Sequence, residues 1–137
     1  MPQPILTLDE VQRRIEELAK KIDAPANLMP TYGTSKNDGT PFLEVDNSSS
    51  SYSYRAFDRD TITMNRSTHD IDELIYWVFQ DVTFSMASDY RARHRDPEIN
   101  YRKVIFSHQL ELLETLDSRW RESREKEIRE ILKHFPY

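Results

Sequence analysis

Tyr52-Ser53-Tyr54-Arg55-Ala56-Phe57-Asp58-Arg59-Asp60-Thr61-Ile62-Thr63-Met64-Asn65-Arg66 decides the fold. Its two halves alternate apolar or aromatic residues with polar ones, the period of a strand with one buried face. Asp58-Arg59-Asp60 between them reads as a short turn, so the stretch predicts a hairpin. Upstream, Lys36-Asn37-Asp38-Gly39 is a second turn signal, because Gly39 can take positive φ. It is expected to join a strand near Tyr32–Ser35 to one near Pro41–Asp46, with Asn47 to Ser51 as the next connection. Residues 31–66 thus predict an antiparallel meander of three or four strands. Leu43, Val45, Tyr52, Tyr54, Ile62 and Met64 are expected to face inward. Glu44, Asp46, Ser53, Arg55, Thr61 and Thr63 are expected to face outward.

On either side of the meander the period changes from two to three and four. Thr7 and Glu10 have the spacing of a reciprocal capping box. Leu8, Val11, Ile15, Leu18 and Ile22 continue as one stripe, predicting a helix over about 7–22. Downstream, a helix is expected over about 69–95, apolar over most of its circumference from Ile71 to Met86 and therefore buried. Asp96-Pro97-Glu98 ends it. A last helix is expected over about 100–135, with Tyr101, Val104, Ile105, His108, Leu112, Leu116 and Trp120 as its stripe. From Arg119 to Glu130 it is almost wholly charged, with pairs such as Glu122–Lys126 and Glu125–Arg129 at helical spacing. Segregated strands and helices predict one α+β domain over 1–137, the two long C-terminal helices packed on one sheet face.

The chain has 137 residues, one domain's length by the prior of roughly 100–200. Nineteen basic residues stand against 24 acidic ones, a net charge of −5. That argues against a general nucleic-acid-binding domain, which needs a basic footprint. There is no cysteine, which excludes disulfides, a thiol nucleophile and Cys-based zinc sites. Met1-Pro2-Gln3-Pro4-Ile5-Leu6 lacks the basic and apolar regions of a signal peptide, and no apolar run suits a membrane helix. A cytoplasmic protein without anchor is expected. Only two glycines are present, so there is no Gly-rich phosphate loop, and no G-x-S-x-G or H-E-x-x-H motif occurs.

Four features invite a chemical reading. Asp81 interrupts the most apolar helix, where a lone buried carboxylate is costly unless paired. It reads either as a general base beside a cleft or, preferably, as a structural group paired with Arg55 or Arg66 or hydrogen-bonded to Tyr76 or a strand hydroxyl. His94 and His108 flank the connection between the long helices. They can approach each other there, although no metal-ligand spacing is present. Arg91, Arg93, Arg95 and Arg102 with Tyr90 and Tyr101 form a basic and aromatic cluster able to hold phosphate or stack bases. Asp89, Asp96 and Glu98 offset that charge. Finally, residues 1–30, 31–87 and 88–137 carry net charges of −1, −5 and +1. The acidic excess therefore lies on the sheet and at the entry to the second helix, where it can steer a basic partner.

The run Asp72-Glu73-Leu74-Ile75-Tyr76-Trp77-Val78-Phe79-Gln80-Asp81-Val82-Thr83-Phe84-Ser85-Met86-Ala87, with Tyr90 and its basic tail, resembles the immunity protein 63 family. Tyr101-Arg102-Lys103-Val104-Ile105-Phe106, Leu110-Glu111-Leu112-Leu113 and Trp120 are similar too. The likeness covers roughly residues 30–135 and is a pattern of aromatics and Asp, with no catalytic signature. It implies a small bacterial α+β domain that neutralises a cognate polymorphic toxin by stoichiometric binding, with no catalysis, cofactor or metal. A basic, nuclease-type toxin would suit the acidic sheet, with Glu44, Asp46, Phe57, Asp58 and Asp60 as the contact residues. No direct nucleic-acid or membrane contact is expected. Two rival readings remain. One is a self-associating module, even a homodimer, using the charged helix from Arg119 to Glu130. The other is a small enzyme using Asp81.

Overall fold

A computed structural model describes residues 5–137, so the reading of Met1–Pro4 lies outside the described residues. The elements follow the order α1 (Leu8–Lys21), β1 (Thr31–Tyr32), β2 (Phe42–Asp46), β3 (Ser51–Asp58), β4 (Thr61–Thr68), α2 (Ile71–Arg93), α3 (Tyr101–Leu116) and α4 (Ser118–His134). The chain is therefore α+β, with one mixed four-stranded sheet in the order β1-β2-β3-β4. Its contacts form two compact units, Met1–Leu18 with Met29–Val78, and Ala19–Leu28 with Phe79–Tyr137.

The first unit holds the sheet. Helix α1 starts as its sequence requires: Glu10 N–H donates to Thr7 Oγ1, and Thr7 N–H donates to Glu10 Oε1, both at 3.2 Å. Val11 and Ile15 on its stripe are fully buried. Helix α2 is capped by Asp70, whose Oδ1 accepts the Asp72 N–H at 2.9 Å. Its first two turns bury Leu74, Ile75 and Val78. The inner sheet face buries Leu43, Tyr52, Tyr54 and Ala56.

Two details of the sheet depart from the expected meander. β1 runs parallel to β2, with Thr31 opposite Phe42 and Tyr32 opposite Leu43. The Asn37–Gly39 turn exists, and Gly39 takes φ +89. It does not close a hairpin, because the chain also reverses at Gly33 (φ +80) and so returns in the original direction. The second departure is at Ile62. A bulge shifts the β3–β4 register between Ala56, opposite Met64, and Phe57, opposite Ile62. One extra residue turns each later side chain to the other face. Ile62, expected inside, is 56% exposed on the Phe57 side.

The second unit is helical. Phe79 stacks on Trp120 with centroids 6.1 Å apart, among buried Val82, Ile105, Phe106, Leu113 and Ile128. The single last helix expected from sequence is two helices, separated at Asp117. That residue's backbone N–H caps α3 by donating to the Leu113 carbonyl, and its side chain caps α4 by accepting the Arg119 N–H at 2.8 Å. Nor is α4 the solvated rod its charge suggests. Trp120, Arg124 and Ile128 form a buried stripe at steps of four. Arg124 lies in a polar network inside the unit. Its Nε donates to Gln109 Oε1 at 3.0 Å and its Nη1 to Glu127 Oε2 at 2.9 Å. Gln109, fully buried, donates to the Gln80 carbonyl and to Thr83 Oγ1, at 3.0 and 3.2 Å. Gln80 Nε2 closes the circuit on Glu127 at 2.8 Å.

Candidate functional site

Residues opposed in an antiparallel pair share a face. Phe42 opposes Arg55, Glu44 opposes Ser53 and Asp46 opposes Ser51, so these six line the outer sheet face, which Phe57 and Ile62 extend. Glu44 is paired there, its Oε1 lying 3.2 Å from Arg55 Nη2. Both groups are more than a third exposed, so the pair is worth under about 1 kcal/mol and can exchange partners cheaply. Asp46 organises the next turn, accepting from Ser48 Oγ at 2.6 Å and from the Ser48 N–H at 3.0 Å. These serine hydrogen bonds hold its carboxyl below the usual range, so it presents a fixed negative charge. Phe57 is half-buried and stacks on buried Phe42 at 5.6 Å.

Asp58 and Asp60 stand exposed at the β3–β4 turn. Arg59 (φ 50) and Asp60 (φ 64) are both left-handed, the backbone of a tight two-residue hairpin turn that suits Asn and Gly far better than Arg. Asn37 holds it in place. Its carbonyl accepts the Arg59 N–H at 3.2 Å, its Oδ1 accepts the Asp60 N–H at 2.8 Å, and its Nδ2 donates to Asp60 Oδ1 at 3.0 Å. The same loop bridges Asp38 to Asp58, with the Gly39 N–H donating to the Phe57 carbonyl at 2.8 Å.

The five candidate residues are therefore not one cluster. Glu44 and Asp46 sit toward one end of the sheet, and Phe57, Asp58 and Asp60 at the other. The seven steps of β3 from Ser51 to Asp58 separate the ends by about 23 Å at roughly 3.3 Å per residue. Two residues at the second end lie outside the candidate set. Asp38 arrives through the folded-back loop, and Ile62 through the bulge. The local composition there is an apolar pair, Phe57 and Ile62, with carboxylates from Asp38, Asp58 and Asp60 nearby. In the whole sheet unit, twelve acidic residues stand against six basic ones.

The other candidates take different places. Asp81 is exposed on α2, so the premise that its carboxylate is buried does not hold. The helix buries one stripe, Leu74, Ile75, Val78, Phe79, Val82, Thr83 and Ala87, and Asp81 lies off it with exposed Glu73 and Phe84. His94 and His108 do come together, one on each face of Tyr90, with ring centroids at 4.2 and 4.0 Å. Burial lowers His108 below the ordinary imidazole value; Glu111 opposes this and His94 adds to it. The basic and aromatic cluster is spread over local contacts. Arg91 lies over Tyr101 at 5.3 Å, and Arg102 donates to the Phe135 and Pro136 carbonyls at 2.7 and 2.5 Å. Among the described residues no group of three His, Asp or Glu is placed to hold a metal ion, and no helix is long and apolar enough to cross a membrane.

The family model described as immunity protein 63 matches residues 47–130, from the turn before β3 into α4. No curated protein and no solved structure matches the chain.

Proposed function

Because the chain belongs to the immunity protein 63 family, we propose that it protects a bacterial cell by binding a cognate polymorphic toxin in the cytoplasm, stoichiometrically and without chemistry of its own. The family match carries this reading. The acidic sheet unit supports its finer part, a basic partner such as a nuclease domain whose active cleft is occluded. An excess of negative charge on a rigid sheet accelerates encounter with a basic protein. The Phe57 and Ile62 pair supplies apolar anchor, while Glu44, Asp46, Asp58 and Asp60 serve as rim and steering groups. The 23 Å run of β3 has the linear scale of a patch of about 800 Å².

The test is co-expression with the toxin domain encoded beside the gene. Survival with one-to-one co-purification is the expected result. Survival without capture would replace binding by enzymatic repair, and death despite folded protein would remove the toxin reading. If capture occurs, reversing Glu44, Asp46, Asp58 and Asp60 together to Lys should weaken it at least about tenfold, mostly through the on-rate. An unchanged affinity would move the contact surface elsewhere.

A further inference from the structure

A cavity of about 440 Å³ opens in the sheet unit, with Arg14, Ser50, Tyr52 and His69 among its walls. That is within the range of small-molecule sites, about 300–1,000 Å³. Its polar groups are held in place. Tyr52 is 2% exposed, and its hydroxyl oxygen accepts the Leu6 N–H at 2.8 Å. Among the described residues no acceptor takes the hydroxyl hydrogen. Tyr52 lines the cavity, and among the described residues its phenol keeps one donor that a ligand acceptor would satisfy. His69 Nδ1 lies 2.9 Å from the Ser50 carbonyl. A carbonyl only accepts, so Nδ1 carries the hydrogen and the ring orientation is fixed, which leaves Nε2 for a ligand.

The charge comes from Arg14 on α1. Its charge helps to lower the Glu10 carboxyl one turn earlier, while the hydrogen bonds of that carboxylate go to the Thr7 amide and hydroxyl, and among the described residues Arg14 makes no ion pair within 4 Å. Leu6 and Ile71 give the same cavity an apolar wall. We propose that this cavity is a binding site for a carboxylate on a short aliphatic body, the carboxylate on Arg14 and Tyr52 and the body against Leu6 and Ile71. A guanidinium and a buried phenol favour an anion with two acceptor oxygens, and the apolar wall disfavours a bare inorganic ion. The site is independent of the toxin-binding reading.

The test is an NMR titration of the full chain with two probes and their uncharged amides. 4-Methylpentanoate stands for a free acid and N-acetyl-leucine for a peptide C-terminus. The expected result is saturable shifts at Tyr52 and His69 with one or both acids, in the millimolar range or tighter, and at least about tenfold weaker binding of the amides. Preference between the acids distinguishes a metabolite from a protein terminus. Arg14→Gln, a change at an exposed position, should weaken binding by a similar factor, and Tyr52→Phe should weaken it too. No saturation by about 20 mM, equal binding of acid and amide, or unchanged affinity in Arg14→Gln would each overturn the assignment.

Discussion

Asn37 makes three hydrogen bonds to the turn residues Arg59 and Asp60 from 22 or 23 positions away. It is itself left-handed, at φ 57, so the side chain is delivered by a backbone that Asn tolerates better than most residues. Asn37→Ala removes the two side-chain bonds and leaves the strained turn held by backbone bonds alone. Stability should fall by about 1–2 kcal/mol in urea unfolding. Tyr32 gives the opposite sign. Its hydroxyl is buried without a partner among the described residues, and burial, with Glu16 adding, pushes the phenol up to about 12. Tyr32→Phe removes a desolvated group that makes no bond among the described residues, so unfolding should be unchanged or up to about 1 kcal/mol more costly. At this scale the sequence is legible where the signal is local. The positive φ of Gly39, the Thr7–Glu10 box and the Asp58–Asp60 turn all follow from their local sequence, although the Gly39 turn does not close a hairpin. Ile62 is not legible, because a bulge leaves the alternation intact in sequence and reverses it in space.

Asp117 ends one helix and begins the next with no intervening residue. The pattern over 100–135 hides this, since both helices keep apolar residues at steps of three and four across the joint. The only local sign is an Asp-Ser pair suited to an N-cap. Arg124 misleads for a related reason: a charged residue within a charged run reads as solvated, and only its partners Gln109 on α3 and Glu127 on α4 reveal that it is buried. Those partners define a prediction for the three-helix unit. Gln109→Leu leaves Arg124 Nε and Thr83 without their amide partner in the interior and should cost about 2–4 kcal/mol. Adding Arg124→Met removes the stranded Nε donor, so the double variant should recover at least half of that loss. Additive losses in chemical denaturation would mean that the two residues are not coupled.

Across the molecule, charge and protonation set the response to solution conditions. His108 sits below its ordinary value near 6.5 because burial disfavours the cation, so the unfolded chain takes up that proton first. Its contribution to stability is complete above about pH 7 and is lost as pH falls through the folded value. His108→Gln should flatten the slope of unfolding free energy between about pH 7 and 5. Glu10, Asp38, Asp46 and Asp117 are held below their usual values by turn and cap hydrogen bonds. They should add a second decline below about pH 4. If the sheet unit steers a basic toxin, the on-rate should drop steeply between about 50 and 500 mM salt, with much less change in the off-rate; equal on-rates would exclude steering. The α+β architecture and the family were legible at this scale because both rest on long patterns. The layout of the proposed contact face is less legible, because a bulge and a folded-back loop decide which side chains stand beside Phe57 and Asp58. The chain visits its two units alternately, as Met1–Leu18, Ala19–Leu28, Met29–Val78 and Phe79–Tyr137, so neither is contiguous. A single genetic crossover anywhere in the coding sequence therefore leaves at least one unit with segments from two parents. Diversity in such a protein is more readily gained by substitution in place than by exchanging the sheet as a cassette.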